Sequence, residues 1–257
     1  PDMRRPEPIP PNTDGLARHV LSIGADVGIA NDGDADRVGL IDENGRFVNQ
    51  LQVYGLLAYY LLEVRGQRGD IVKTLSTTSM LDVLGERYGV GVHETCIGFK
   101  YVAPKMLETD AMIGGEESGG FAFRGLPERD GLLVALALLD LILRTGRTPS
   151  QLVGDLHEAV GAVWHYDRRD IRFDADRRAA VEDRLAAATP ARLAGVDVTR
   201  IDRRDGSKFW MPDRGWLLVR FSGTEPLMRV YVETTQADRV GPLLGAGIEL
   251  AGLADPR

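Results

Sequence analysis

Cysteine is nearly absent: Cys96 is the single thiol in 257 residues, which excludes an internal disulfide framework and any cysteine-rich metal site. That scarcity fits a reducing cytoplasm. Cys96 itself, with no base beside it in sequence, reads as a small buried residue and not a nucleophile. The four histidines, His19, His93, His157 and His165, never fall at metal-ligand spacing, so no zinc centre is expected. Positive charge is also short. A net charge of −7 provides no basic field for nucleic acid or an anionic membrane, and the Arg168-Arg169 and Arg203-Arg204 pairs read as solvated faces. Long apolar runs are missing: Leu51 to Leu62 and Leu132 to Leu143, which carry Gln52 and Asp140, are too short to span a bilayer and read as buried helices. No secretory signal, internal repeat or low-complexity segment is evident. At 44% apolar and 27% charged residues the composition is that of a globular protein with room for one large or two to three small domains.

What stands out against this background is Asn31-Asp32-Gly33-Asp34-Ala35-Asp36-Arg37, set between the apolar runs Val27 to Ala30 and Val38 to Ile41. Three carboxylates at alternate positions repel one another unless a cation neutralises them. Aspartate oxygens are hard ligands suited to Mg²⁺, Mn²⁺ or Ca²⁺, and Arg37 beside them could share a phosphate oxygen with the metal. Three other readings of the same residues exist. An EF-hand would explain Asp32, Asp34, Asp36 and Glu43, but Arg37 stands where its sharp turn needs glycine. A phosphoaspartate loop built on Asp32 and an acidic solvated hairpin are the others, and the third carboxylate with the following Arg favours a metal cradle over both.

In chain order, a proline-rich opening, Pro1 to Pro11, reads as an extended strap. It has no initiator Met, which suggests a chain joined partway through. A helix over Gly15 to Ile23 leads to a strand at Asp26 to Ala30, a second strand over Arg37 to Asp42 and a helix over Gln50 to Arg65. Strands at Asp70 to Leu75, Val90 to Thr95 and Ala111 to Ile113 alternate with helices at Met80 to Tyr88 and Tyr101 to Thr109, a pattern that predicts parallel α/β layers. Lys73, among Ile71, Val72, Thr74 and Leu75, is either a snorkelling edge residue or a cation aimed at a phosphate or a proton. Ser76 to Ser79 place hydroxyls at a helix start, where an anion could be held. From Trp164 short strands (164–173, 196–201, 215–221, 228–234) and two helices (176–188, 237–253) predict a C-terminal α+β domain with an antiparallel sheet.

Two further loops carry chemistry. Gly114-Gly115-Glu116-Glu117-Ser118-Gly119-Gly120 surrounds two carboxylates and a hydroxyl with glycine, which suits the paired hydroxyls of a sugar ring. Arg220-Phe221-Ser222-Gly223-Thr224-Glu225-Pro226, followed by Arg229, gathers guanidinium, hydroxyl and amide donors of the kind a phosphate oxyanion requires.

The order and separation of these three loops resemble the α-D-phosphohexomutases, the phosphoglucomutase and phosphomannomutase family, over nearly the whole chain. The resemblance implies a four-domain enzyme that moves phosphate between positions 1 and 6 of an aldohexose through a phosphoserine and a bisphosphorylated sugar, glucose 1,6-bisphosphate being intermediate and activator. It implies Mg²⁺ held by Asp32, Asp34 and Asp36, Arg37 steadying the transferring phosphoryl group, and Lys73 assisting proton transfer or binding sugar. Lys100, Glu116 and Ser118 would contact the sugar, while Arg220, Ser222, Gly223, Thr224 and Arg229 would anchor the non-reacting phosphate.

The family's phosphoserine lies in a Thr-x-Ser-His-Asn-Pro-like loop of the first domain, and no Ser-His pair occurs here. The expectation is a piece lacking its N-terminal domains and inactive by itself. Residues 1–45 would be the tail of domain two with the metal loop, 46–160 domain three with the sugar loop, and 161–257 domain four with the phosphate loop. Some relatives carry His where Gly120 stands. The alternative is a non-catalytic phosphosugar-binding protein.

Overall fold

The computed structural model describes residues 7–173, 175–221 and 227–253, and these fall into two units, the first running through Gly161 and the second from Ala162. Helix α1 (Asp14–Ile23) ends on Gly24. Strands β1 (Gly28–Asn31), β2 (Val38–Ile41) and β3 (Phe47–Val48) then pair in that order, all antiparallel. Parallel pairing is therefore confined to the next sheet. Connections as short as those between β1, β2 and β3 reverse the chain, whereas a parallel neighbour needs a crossover.

A capping box starts α2 (Gln50–Tyr59): the Asn49 side chain accepts from the Gln52 backbone N–H, and the Gln52 side chain accepts from that of Asn49. The helix runs on into a π-helical turn, Tyr60–Val64. The elements β4 (Ile71–Thr74), α3 (Met80–Tyr88), β5 (Val92–Thr95), α4 (Phe99–Thr109), β6 (Ile113–Gly115) and β7 (Phe121–Phe123) follow. Their sheet runs β5-β4-β6-β7, with β4 parallel to both β5 and β6 and β7 antiparallel at the edge. Lys73 is thus on an interior strand and is not an edge residue. Strand β7, only three residues between Gly120 and Arg124, is too short to carry a sequence periodicity.

Asp130 caps α5 (Gly131–Thr145) by accepting from the Leu133 amide at 2.8 Å. The expected deep burial of α5 is corrected: Val134, Leu138 and Leu141 form one inward stripe, while Leu132, Leu136 and Leu143 are 60%, 63% and 80% exposed. Helix α6 (Pro149–Ala159) is tied to the turn after β2. Glu43 accepts from Thr148 Oγ1 at 2.9 Å, from the Ser150 amide at 3.3 Å, and from the Ser150 hydroxyl.

The second unit contains β8 (His165–Arg172), α7 (Arg178–Ala187), β9 (Arg192–Leu193), β10 (Val196–Asp197), β11 (Arg200–Asp202), β12 (Ser207–Trp210), β13 (Trp216–Phe221), β14 (Leu227–Thr234) and α8 (Val240–Leu250). Five strands form an antiparallel sheet, β11-β12-β13-β14-β8, beside a β9-β10 ribbon. The single strand expected over 196–201 is split between ribbon and sheet, and β12 is an additional strand that the sequence pattern does not signal. Alternate residues Phe209, Leu217, Val219, Val230 and Val232 face Val181, Leu185, Leu243, Leu244 and Ile248 of α7 and α8. On the opposite sheet face the buried Lys208 ammonium lies 4.0 Å from the Trp210 ring centre and 4.7 Å from that of Trp216. No described helix is long and apolar enough to cross a membrane.

Burial opposes ionisation of Glu43, but the hydrogen bonds from Ser150 and Thr148 outweigh it and hold its carboxyl below the ordinary value of 4.5. A depressed carboxyl stabilises the fold above its unfolded value, and that contribution is lost as pH falls through the folded value. Glu43→Ala is expected to lower unfolding free energy by about 1 kcal/mol at neutral pH, with the deficit shrinking below pH 4.5. Urea denaturation at both pH values tests this; an equal deficit at each would place the effect in packing instead.

Candidate active site

The acidic loop closes between the paired residues Asn31 and Val38 of β1 and β2. Asn31 Nδ2 donates to the Arg37 carbonyl at 2.8 Å, and Ala35 takes a left-handed φ of 57°, uncommon for a residue with a side chain. This turn brings one carboxylate oxygen from each of Asp32, Asp34 and Asp36 within 4.8 Å of one another. Asp32, 9% exposed, accepts from the Arg37 amide at 3.0 Å and from Arg37 Nε at 2.5 Å. Arg37 also lies 3.5 Å from Asp36 and 3.7 Å from Glu7. Arg129 pairs through Nη2 with the other Asp36 oxygen.

Burial tends to raise both Asp32 and Asp36, yet they diverge. The hydrogen bonds and charge of Arg37 bring Asp32 below the usual aspartate value. Asp36 is pushed up, because burial and the Asp32 and Asp34 carboxylates outweigh Arg129. Hard oxygen donors at this separation, one of them still destabilised by its neighbours, fit a divalent cation such as Mg²⁺.

The glycine-rich loop is joined directly to the acidic one. Val38 N donates to the Gly119 carbonyl at 3.1 Å, and Gly131 N donates to Ala35 O at 2.8 Å. Gln50 Nε2 reaches Val38 O at 2.8 Å. Gly119 has φ 90°, and a Cβ there would come within 2.6 Å of Gln50 Nε2 and 2.9 Å of Val38 O, so only glycine fits. Glu116, 6% exposed, accepts from the Gly98 amide and faces Arg129 Nη1 at 3.4 Å. Burial raises its carboxyl value despite Arg129. Ser118 is half-exposed on the same loop.

Lys73 is fully buried, its ammonium donating to the Thr78 carbonyl at 3.0 Å and to Asp82. Hydroxyls of the Ser76 to Ser79 turn are buried and used locally: Thr77 Oγ1 donates to Thr74 O at 2.5 Å and Thr78 Oγ1 accepts from Met80 N at 3.0 Å. Lys100 is exposed on the first turn of α4, 5.0 Å from the Tyr101 ring centre.

In the second unit, Arg220 and Arg229 stand directly opposite on β13 and β14, where like charges repel. Asp205 accepts from Arg220 Nε at 2.9 Å, and Asp170 lies 3.5 Å from Arg229 Nε. Ser222, Gly223 and Thr224 lie outside the described residues. Sequence reasoning missed Arg129, Gln50 and Asp82. Arg129 sits in the Glu128-Arg129-Asp130-Gly131 stretch, whose only sequence signal is that of a helix cap.

Comparison with known proteins places each loop in one family. The family descriptions that fit are "Phosphoglucomutase/phosphomannomutase", alpha/beta/alpha domain II over residues 1–45, alpha/beta/alpha domain III over 49–160 and C-terminal domain over 171–244. A phosphoglucomutase/phosphomannomutase of Thermococcus kodakarensis is 36% identical over 96% of this chain and 52% of its own length. The phosphoglucosamine mutase of Desulforamulus reducens is 30% identical over 92% of this chain and 49% of its own. The chain thus spans about half the length of the curated relatives it matches. Among solved structures, a candidate phosphomannomutase from Thermus thermophilus superposes with TM-score 0.80 at 36% identity, covering 96% of this chain and 51% of that one. The N-acetylphosphoglucosamine mutase of Aspergillus fumigatus, solved with GlcNAc-6P and magnesium, shares the fold at TM-score 0.56 and 15% identity over 87% of this chain and 51% of that one.

Two outcomes follow from the buried charges. A carboxyl raised on folding costs stability once pH exceeds its unfolded value, so Glu116→Gln should raise the melting temperature at pH 8 and leave it unchanged at pH 4; a gain independent of pH would refute the charge argument. Asp82→Ala should cost about 2–4 kcal/mol because it leaves a buried ammonium unpaired. Adding Lys73→Met should recover much of that loss in chemical denaturation, and no recovery would mean Asp82 acts chiefly through α3.

Proposed function

The chain belongs to the phosphoglucomutase/phosphomannomutase family, and from that premise we propose that it supplies the metal, sugar and distal-phosphate loops of a phosphohexomutase interconverting hexose 1-phosphate and hexose 6-phosphate. The observation that carries this is the gathering of Asp32, Asp34 and Asp36 within 4.8 Å on a loop hydrogen-bonded to the Glu116 loop. In this proposal segments 1–45, 46–160 and 161–257 each contribute one loop, and the phosphoserine comes from outside these 257 residues.

Asp32, Asp34 and Asp36 would hold Mg²⁺, which when bound supplies positive charge to a phosphoryl oxygen. Arg37, anchored on Asp32 through its amide and Nε, steadies that phosphoryl group, since positioning and charge account for most of the rate in such transfers. Glu116 is an acceptor for sugar hydroxyls with Arg129 beside it, and Ser118 adds a hydroxyl. Lys73, held by Thr78 and Asp82, is the cation for proton transfer or sugar contact. Arg220 and Arg229, with Ser222, Gly223 and Thr224, take the phosphate that does not react, and Lys100 is an additional sugar contact.

Titration calorimetry with glucose 1,6-bisphosphate in Mg²⁺ tests the proposal. Binding should weaken at least about tenfold in Arg220→Ala, the loss of one charge-assisted phosphate contact. Turnover of glucose 1-phosphate should require addition of a polypeptide carrying the serine loop. Equal binding by Arg220→Ala would remove the phosphate-loop assignment, and turnover by these residues unaided would remove the external serine.

A further inference from the structure

Arg129 occupies the seam between the two loops of the first unit. The backbone that follows it is fixed by the Asp130 amide donating to Phe121 O at 3.2 Å and by the Gly131 amide donating to Ala35 O at 2.8 Å. Its guanidinium forks: Nη2 pairs with Asp36, and Nη1 stands 3.4 Å from Glu116 Oε2. Its Cζ lies over the Phe99 ring, 5.6 Å from the ring centre. Gly120 leaves the path clear, since a Cβ there would run into Arg129 Cδ and lie 3.1 Å from Cγ. A bare residue, an aromatic shelf and two carboxylates therefore direct one side chain to one place.

That place carries a conflict. Asp36 converges with the Asp32 and Asp34 carboxylates within 4.8 Å, and a guanidinium on its Oδ2 supplies charge of the sign a divalent cation would supply. Guanidinium and cation compete for the same carboxylate and repel each other. Resting on the metal-loop assignment, we infer that Arg129 is a positioning residue that yields Asp36 to the divalent cation and shifts onto Glu116, so that cation binding in one loop sets the charge environment of the other. Such an arrangement is reciprocal: whatever draws Arg129 toward Glu116 tightens cation binding, and whatever frees Arg129 from Glu116 weakens it.

Mn²⁺ titration of the full 257-residue chain, followed by calorimetry with circular dichroism and thermal unfolding on each variant, tests this without reference to turnover. Arg129→Met should bind Mn²⁺ about tenfold tighter, the effect of removing one partly screened like charge near the ion. Arg129→Lys should restore the unmodified affinity, and Gly120→Ala, which displaces the side chain without removing its charge, should tighten binding by a smaller factor. Glu116→Gln should weaken Mn²⁺ binding in the unmodified chain and clearly less in the Arg129→Met background, a coupling read by the double-mutant cycle. Unchanged or weaker binding in a folded Arg129→Met, or an additive cycle, overturns the inference while the metal loop stands. An unmodified chain that takes up no Mn²⁺, or an Asp34→Asn variant that takes it up equally well, overturns the metal-loop assignment and the inference with it.

Discussion

Three aspartate carboxylates forced to converge in a short hairpin repel one another, and much of the first unit is arranged to hold them there. The backbone accepts a left-handed conformation at Ala35, a residue with a side chain, so that alternate carboxylates turn to one side. Arg37 then grips Asp32 twice, Arg129 takes Asp36, and the loop is fastened by two backbone hydrogen bonds, Ala35 O accepting from Gly131 N and Val38 N donating to Gly119 O. The first turn of α5 begins at that fastening. Its amides are already engaged, Gly131 N on Ala35 O and Leu133 N on the Asp130 side chain. A cluster that would be unfavourable in isolation is thus held by a ring of donors.

The same donors join the two loops. Gln50, at the start of α2, holds Val38 O and leaves no room for a side chain at Gly119. Glu116, buried where ionisation is disfavoured, is kept company by the Gly98 amide and by the guanidinium that also serves Asp36. The acidic loop and the glycine-rich loop share hydrogen bonds and, through Arg129, a counter-charge.

How far the sequence reveals this depends on range. The α3 helix, from Met80 to Tyr88, is legible to the residue because its ends carry their own signals, a Ser-rich start and Gly89 after the last turn. The parallel β4, α4 and β6 succession is legible from alternation of apolar strands with helices. Antiparallel pairing of β1 to β3, the short strands β7 and β12, and the exposed face of α5 are not, because each depends on what lies across from it and not on neighbours in sequence. The same holds at the site. Asp32, Asp34, Asp36 and Arg37 announce themselves as a local motif, whereas Arg129 is drawn in across more than ninety positions of chain, roughly the separation at which only a folded topology brings residues together. Lys73 reads as an edge lysine because a charged residue in an apolar strand usually is one; its partner Asp82 lies on the following helix, and their pairing makes an interior position tolerable.

The second unit faces the converse problem with the signs exchanged. Arg220 and Arg229 oppose each other across β13 and β14, where two guanidiniums repel, and the fold answers with Asp205 beside one and Asp170 beside the other. The hold is uneven. Arg220 has a hydrogen-bonded partner at 2.9 Å, while Arg229 has its carboxylate at 3.5 Å, and its Nε makes no hydrogen bond among the described residues although burial should favour a partner there. In both units, then, like charges are concentrated and balanced by counter-charges. A fold selected for stability alone would have avoided either concentration, since apolar residues of similar volume pack at least as favourably as buried ion pairs.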